Sequence, residues 1–177
     1  MSYNFTFFSL FLTLGCFTPS QNQECKEMIN QKNIDSEIFV QLLKKSHFTF
    51  DFEKIKTLDD GILVPLTTKY KTFSIAVQQI SSPVLIYISI NDYLWLDQSK
   101  TPRSTSFVLT QIAVQNHQII GAKIQLNPQN GAITIAHEIH IPNGLNRDVF
   151  LQSLHQMLEE GLRNYPMLKA SLEEDGY

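Results

Sequence analysis

This sequence of 177 residues lacks the features on which several functional classes depend. Its two cysteines, Cys16 and Cys25, belong to no CxxC pair or Cys/His cluster, which excludes a disulfide framework and a cysteine-based metal site. Lys and Arg number 14 against 17 Asp and Glu, so no basic excess exists to neutralise phosphates, and we expect no nucleic-acid binding. The glycines are scattered and form no phosphate-binding loop.

Apolar sequence is what the chain has in quantity. Hydrophobic residues make up 43% of it, which fits one domain with a sizeable core. We find no internal repeat and no low-complexity stretch. We therefore expect a single domain over residues 26–177, preceded by a separate segment over residues 1–25.

The first 25 residues have the pattern of a leader plus linker. Residues 5–17 are uncharged but shorter than the ~20 residues of a membrane-spanning helix, and they match the apolar core of a signal peptide. No Lys or Arg precedes them. Residues 12–16 loosely resemble a lipoprotein cleavage site, which makes Cys16 a candidate for lipidation and the sole reason to expect membrane attachment. The alternative is a buried element of a cytoplasmic protein, so both an exported and a cytoplasmic location stay open.

The first half of the domain predicts a helix followed by strands. Asp35-Ser36 supply a cap for an amphipathic helix that ends near Lys44 and Lys45. Alternating phenylalanines over residues 48–52 predict a strand with one buried face. Further strands are expected at 62–66, with Pro65 favouring a sheet edge, at 73–77, and at 84–90, an apolar run typical of a sheet centre.

The second half predicts a helix, a hairpin and a helix. Residues 104–116 form the first helix, and strands at 121–126 and 132–141 are joined by a tight turn at Asn130-Gly131. A long helix begins near Arg147, with Asn146 as its cap and an apolar stripe at three- and four-residue spacing. The class is α+β, an antiparallel sheet packed by helices in the order helix, strands, helix, hairpin, helix.

Catalytic and metal-binding patterns are weak. His137 and His140 are three residues apart on a predicted strand and so point to opposite faces, which does not suit one metal ion. His117 and His155 have no Ser, Cys or Asp partner at informative spacing. We expect no cofactor and no enzyme. An enzyme would need a pocket that joins His137 or His117 to an acidic partner.

An aromatic group offers a protein interface instead. Tyr87, Tyr93 and Trp95 cluster near one strand end, and aromatic residues with polar tips are enriched at interfaces. The alternative is that Trp95 fills the core beneath the loop that follows it.

Residues 104–174 resemble the YbjN family, which has a fold like that of type III secretion chaperones. The resemblance lies in a helix that ends at Asn116, the Asn-Gly hairpin turn, the break at Pro142, and the Tyr165-Pro166 pair in the last helix. It implies a domain that dimerises, holds partner segments on its sheet or helices, and carries no catalytic residues. We therefore expect a non-catalytic protein-binding or regulatory homodimer with an unknown protein partner, or alternatively an exported envelope domain.

Overall fold

In the part of the chain that the structure describes, three helices accompany a six-stranded and a two-stranded sheet. The computed structural model describes residues 28–81, 84–96, 102–119 and 121–173, without the side chains of residues 102–105. The helices are α1 (Ser36–Leu43), α2 (Pro102–Gln118) and α3 (Arg147–Glu173). The strands are β1 (Met28–Ile29), β2 (Lys56–Leu58), β3 (Gly61–Thr67), β4 (Thr72–Ser81), β5 (Val84–Trp95), β6 (Lys123–Leu126), β7 (Ala132–His140) and β8 (Leu145–Asn146).

All neighbouring strands of the larger sheet are antiparallel, in the order β2-β3-β4-β5-β7-β6. Strands β2 to β5 form a meander, and the β6–β7 hairpin places β7 beside β5. This arrangement confirms the predicted α+β class. Gly131 has a φ of 75° in the hairpin turn, where the Asn-Gly sequence predicted such a conformation. Strands β1 and β8 form a separate ribbon that links Met28 to the start of α3.

The sheet has one face buried beneath the helices. Cross-strand partners lie on the same side of a sheet, and Val77, Ile88 and His137 are successive partners on β4, β5 and β7. Helix α3 packs on this side, where a Cβ added to Gly161 would lie 3.0 Å from Ile90 Cδ1. We call this side the helix face and the opposite side the open face. The core is one cluster that includes Ile62, Val64, Phe73, Ile75, Ile86, Ile135, Phe150, Leu154 and Leu158.

Side-chain caps begin α1 and α3 where the sequence predicted them. The Asp35 carboxylate accepts a hydrogen bond from the Ile38 amide at 2.9 Å. The Asn146 side chain accepts from the amides of Asp148 at 2.9 Å and Val149 at 3.2 Å. Each cap satisfies amide groups that the first helical turn leaves without a partner. These two residues therefore fix where α1 and α3 begin.

The strand predicted over residues 48–52 is wrong. Phe50 forms an isolated bridge with Leu66, and a 3-10 turn begins at Phe52. The Asp51 amide donates to the Pro65 carbonyl at 2.9 Å, and the Asp51 carboxylate lies 2.9 Å from Lys54 Nζ, which favours the turn. Phe50 enters the core, and Phe48 and Phe52 lie half-buried beside it. The alternation therefore reflects burial without a regular β-ladder.

Candidate interaction surfaces

The aromatic cluster predicted from sequence divides between two sides of the sheet. Trp95 is 60% exposed, whereas Tyr93 is buried beneath α3. The register of β5 against β7 shifts between Ile90 and Leu94, and this bulge turns Tyr93 towards the helix face. Tyr87 is half-buried and has Glu138 as its cross-strand partner on the open face. An interface that includes Tyr87 and Trp95 stays a prediction, and Tyr93 does not share that surface.

Tyr93 instead holds α3 against the sheet. Its hydroxyl donates a hydrogen bond to the Gly161 carbonyl at 2.7 Å. Its ring lies 6.0 Å from the Phe73 ring and 5.5 Å from the Tyr165 ring, measured between centroids. Burial raises the pKa of the Tyr93 hydroxyl far above its ordinary value, and the neighbouring tyrosines add to the rise. The hydroxyl is therefore a permanent donor with a structural role.

The two strand histidines that raised the question of a metal site lie on opposite faces. His137 pairs with Ile88 on the helix face, and His140 pairs with Leu85 on the open face. Burial lowers the pKa of His137, and the nearby Glu138 carboxylate opposes that effect. Over the described ranges, no three His, Cys, Asp or Glu side chains converge in a way that could hold a metal ion.

A third histidine, His155, lies beside His47 between α3 and the loop after α1. Their ring centroids are 4.0 Å apart, and His47 Nε2 lies 3.5 Å from a carboxylate oxygen of Glu159. The Nε2 atom of His155 is buried and makes no hydrogen bond to the described residues. Burial lowers the pKa of His155, His47 lowers it further, and Glu159 opposes both. The cluster therefore places two imidazole rings beside one carboxylate.

One side of α2 carries two exposed apolar side chains that sequence analysis did not single out. Phe107 and Val114 are 42% and 44% exposed there, and we call these two residues the α2 face. Leu109 is 46% exposed but lies on the other flank of the helix, because residues two apart do not share a side. No Asp, Glu, Lys or Arg occurs between Arg103 and Lys123, although surface helices ordinarily carry charged residues on their solvent side. That absence of charge was the signal in the sequence that could have identified the face.

Helix α3 contributes a methionine near the α2 face. Gln115 on α2 is buried, and its Nε2 lies 3.7 Å from the sulfur of Met167 on α3. Met167 is itself 44% exposed. Methionine adapts its shape easily and is common on surfaces that bind proteins. Met167 therefore adds an exposed apolar side chain on α3 beside a buried residue of α2.

The edges of the six-stranded sheet are partly closed by side chains and loops. Asn116 on α2 donates to the Ile124 carbonyl at 2.9 Å and accepts from the Ile124 amide at 2.7 Å, on the outer side of β6. At the other edge, β2 ends before it reaches Pro65 of β3. Residues 50–51, which we call the Phe50 segment, cover that part of β3. A strand edge closed in this way cannot pair with another chain.

Part of β7 has no such cover. Strand β6 pairs only with Ile133 to Ala136 of β7, so the last residues of β7 continue beyond its end. A shallow cleft of about 290 Å³ lies there, lined by Gly121, Lys123, Gln125, Ala136, His137, Glu138 and His140. The cleft combines open backbone with charged side chains, which suits a protein chain better than a small apolar ligand.

The predicted leader over residues 1–25, including Cys16, lies outside the described residues and stays a prediction. Cys25 lies outside them too. None of the helices in the described part of the chain carries an apolar stretch able to cross a membrane.

Comparison with known proteins gives a likeness in fold. No family model matches this sequence, and no curated protein matches it. The crystal structure of an uncharacterized protein from Methanothermobacter thermautotrophicus has a TM-score of 0.53 and 13% identity, covering 78% of this chain and 99% of that one. The crystal structure of YbjN from E. coli has a TM-score of 0.46 and 12% identity, covering 77% and 88%. At these low identities the likeness to the solved structures is one of fold alone.

Proposed function

We propose that this domain acts by binding another protein, without catalysis, and that it also self-associates as a homodimer. The observation that carries the protein-binding part is the α2 face, an uncharged helix surface on which Phe107 and Val114 are each more than two-fifths exposed. A single exposed apolar residue is ordinary, but two large apolar side chains on the same uncharged side of a helix are suited to contact a partner.

The chemistry of the α2 face defines the partner. With no charge between Arg103 and Lys123, the face offers neither steering nor ion pairs, so association depends on apolar burial and shape. The partner therefore presents apolar side chains of its own, with few charges at the centre of contact. Phe107 and Val114, seven residues apart on the helix, lie on the same side of it and supply the anchors.

The polar clusters support binding over catalysis. Tyr93 is occupied by the Gly161 carbonyl, and His137 and His140 lie on opposite faces of β7. His155 and Glu159 line a surface groove together with Asp148, Leu151, Gln152 and Gln156, and His47 lies beside them. A general base needs a nucleophile within hydrogen-bond reach, and no hydroxyl or thiol in the described part of the chain is bonded to these histidines.

Co-purification from native cells tests this proposal. The full chain with a C-terminal tag is expressed beside the double variant F107E/V114E and the control L58E, which places a charge at an exposed apolar residue on β2. We expect one stoichiometric partner, identified by mass spectrometry, with the natural chain and with L58E. The double variant should lose it. Retention of the partner by F107E/V114E would place binding elsewhere, and no partner at all would contradict the protein-binding function. The same spectra report the mature N-terminus.

A further inference from the structure

The backbone groups at the end of β7 form an uncovered edge. The amide of Ile141 donates to the carbonyl of Val84 on β5, so odd-numbered residues of β7 direct their backbone groups to β5. Even-numbered residues direct theirs to the other side, where Lys123 pairs with Ala136. The next two even-numbered residues, Glu138 and His140, lie beyond the end of β6. Among the described residues no backbone group pairs with them on this side. We call these two residues the free β7 edge.

This free edge differs from the other stretches of the sheet boundary. Asn116 closes the outer side of β6, and residues 50–51 cover β3 beside Pro65. Strand β2 has no outer partner among the described residues, but it is only three residues long, and very short edge strands pair poorly with other chains. The free β7 edge instead continues a nine-residue strand whose other side is bonded to β5, so it offers a place where a strand is added.

The side chains of the free β7 edge are complementary to themselves. Glu138 and His140 both point to the open face and are exposed. If two copies of β7 meet antiparallel with Ile139 opposite its own copy, Glu138 of each chain lies directly opposite His140 of the other. Directly opposite residues have Cβ atoms about 4.5–5.5 Å apart, close enough for a carboxylate and an imidazole to interact.

The backbone supports the same register. Glu138 and His140 both direct their N–H and C=O groups outwards, so each would form a pair that exchanges both backbone bonds with its opposite residue. A twofold axis through Ile139 creates two such pairs at once, which is the symmetry expected of a homodimer. Backbone geometry and the fit of a carboxylate to an imidazole thus select one register.

We propose that the free β7 edge binds a second copy of this chain, joining the two six-stranded sheets through antiparallel β7 strands about Ile139. This inference rests on the proposed self-association and assigns its interface. It is independent of the α2 face, which stays available to a different protein. The few residues involved make the dimer weak and dependent on concentration, because specific stable interfaces bury about 800 Å² on each partner.

Sedimentation equilibrium of the full chain tests the register when the residues at positions 138 and 140 are substituted and then exchanged. The natural chain should dimerise. H140E places Glu138 opposite a glutamate in both pairs and should raise the dimer Kd about tenfold or more. The double variant E138H/H140E restores an acid–imidazole pair at both positions and should recover the natural Kd. K56E, a charge reversal on the open face far from this edge, is the matched control and should leave the Kd unchanged.

A backbone variant and amide exchange give a second readout. E138P removes the outward N–H without touching the bonds to β5, and it should abolish the dimer while the chain stays folded. The Glu138 and His140 amides should exchange more slowly as the concentration of the natural chain rises. A dimer that persists in both H140E and E138P would overturn this interface but leave self-association standing. A natural chain that stays monomeric up to about 1 mM would contradict both. Recovery of another protein's strand at this edge would overturn the second copy as occupant.

Discussion

The Asn116 side chain takes the place of a neighbouring strand for Ile124. Its amide nitrogen donates to the Ile124 carbonyl at 2.9 Å, and its amide oxygen accepts from the Ile124 N–H at 2.7 Å. An asparagine side chain has the same donor and acceptor as a peptide group, so one residue of α2 satisfies both outward groups of one residue of β6. Lys123 Nζ adds a bond to the Asn116 carbonyl at 3.2 Å.

Removing this amide should weaken the fold and open the β6 edge. We expect N116A to lower the free energy of unfolding by about 1–2 kcal/mol, because it removes two hydrogen bonds from a part-buried site that water can enter only partially. Urea denaturation measures the change. N33A, at an exposed asparagine near the start of the domain, is the control and should change stability by less than about 0.5 kcal/mol. Equal effects of the two substitutions would show that Asn116 has no special role.

The Tyr93 hydroxyl should contribute measurably to stability. In Y93F the Gly161 carbonyl loses its bond from the sheet, and we expect a loss of about 1 kcal/mol in unfolding free energy. Y87F removes the hydroxyl that lies 3.0 Å from Gln125 Oε1 on the exposed face, where water replaces it, so the expected change is close to zero. Thermal or urea unfolding of the two variants provides the comparison, and a larger loss in Y87F than in Y93F would contradict the structural role of Tyr93.

Gly161 sets the distance between α3 and the sheet. A Cβ at this position would lie 3.0 Å from Ile90 Cδ1 and 3.3 Å from Ile135 Cδ1, both at the ends of flexible side chains. The single methyl of alanine can be accommodated by small shifts, and the gain in helix propensity of up to ~1 kcal/mol offsets the crowding. G161V adds bulk that the core cannot accept.

We expect G161V to cost about 1–3 kcal/mol in unfolding free energy and G161A to cost much less. A170V, at an exposed position of the same helix, reports the propensity effect of valine alone. Urea unfolding of the three variants separates crowding from propensity. A G161V variant no less stable than A170V would show that α3 can move away from the sheet without cost.

Histidine protonation should destabilise the fold in mild acid. Burial holds the pKa of His155 and of His137 below their ordinary value near 6.5, so the unfolded state binds more protons than the folded state does below that pH. Stability contributed by these groups is therefore present above pH 6.5 and is lost as the pH falls through their folded pKa values. The urea midpoint should decrease from pH 7.5 to pH 5.

The variants H155Q and H137Q test this pH dependence. Each should reduce the drop in urea midpoint between pH 7.5 and pH 5, and the double variant should reduce it further. Measurements at pH 8, where unperturbed histidine is neutral, give the part of each effect that does not involve protonation. A drop of unchanged size in the double variant would assign the acid sensitivity to other groups.

Local patterns in the sequence were sufficient for most of the fold. Asp35 and Asn146 mark helix starts because capping is a local interaction, and the Asn130-Gly131 turn fixes its hairpin through backbone conformation alone. Alternation over residues 132–141 assigned the faces of β7, since a strand has a period of two. These features depend on residues that are close in the chain.

The candidate surfaces depended on contacts that no local pattern contains. The bulge that buries Tyr93 exists because β5 pairs with β7, far away in sequence. The Phe50 segment is held against β3 by the hydrogen bond from the Asp51 amide to the Pro65 carbonyl. The alternating phenylalanines therefore did not indicate a regular strand. The free β7 edge exists because β6 begins only at Lys123. The direction of its backbone groups can be read only from the register of all three strands. The α2 face had a sequence signal, the absence of charge between Arg103 and Lys123, but using it required knowledge of which side of the helix is covered.

The strand order also has a consequence for biosynthesis. Strand β5 is apolar and central, yet the partner that covers one of its sides, β7, begins only at Ala132. A ribosome that adds about 5–20 residues per second needs a few seconds to proceed from Trp95 to His140. During that interval the nascent chain holds the β2–β5 meander with one long side of β5 exposed. We therefore expect the nascent chain to be prone to aggregation until the β6–β7 hairpin emerges and covers that side.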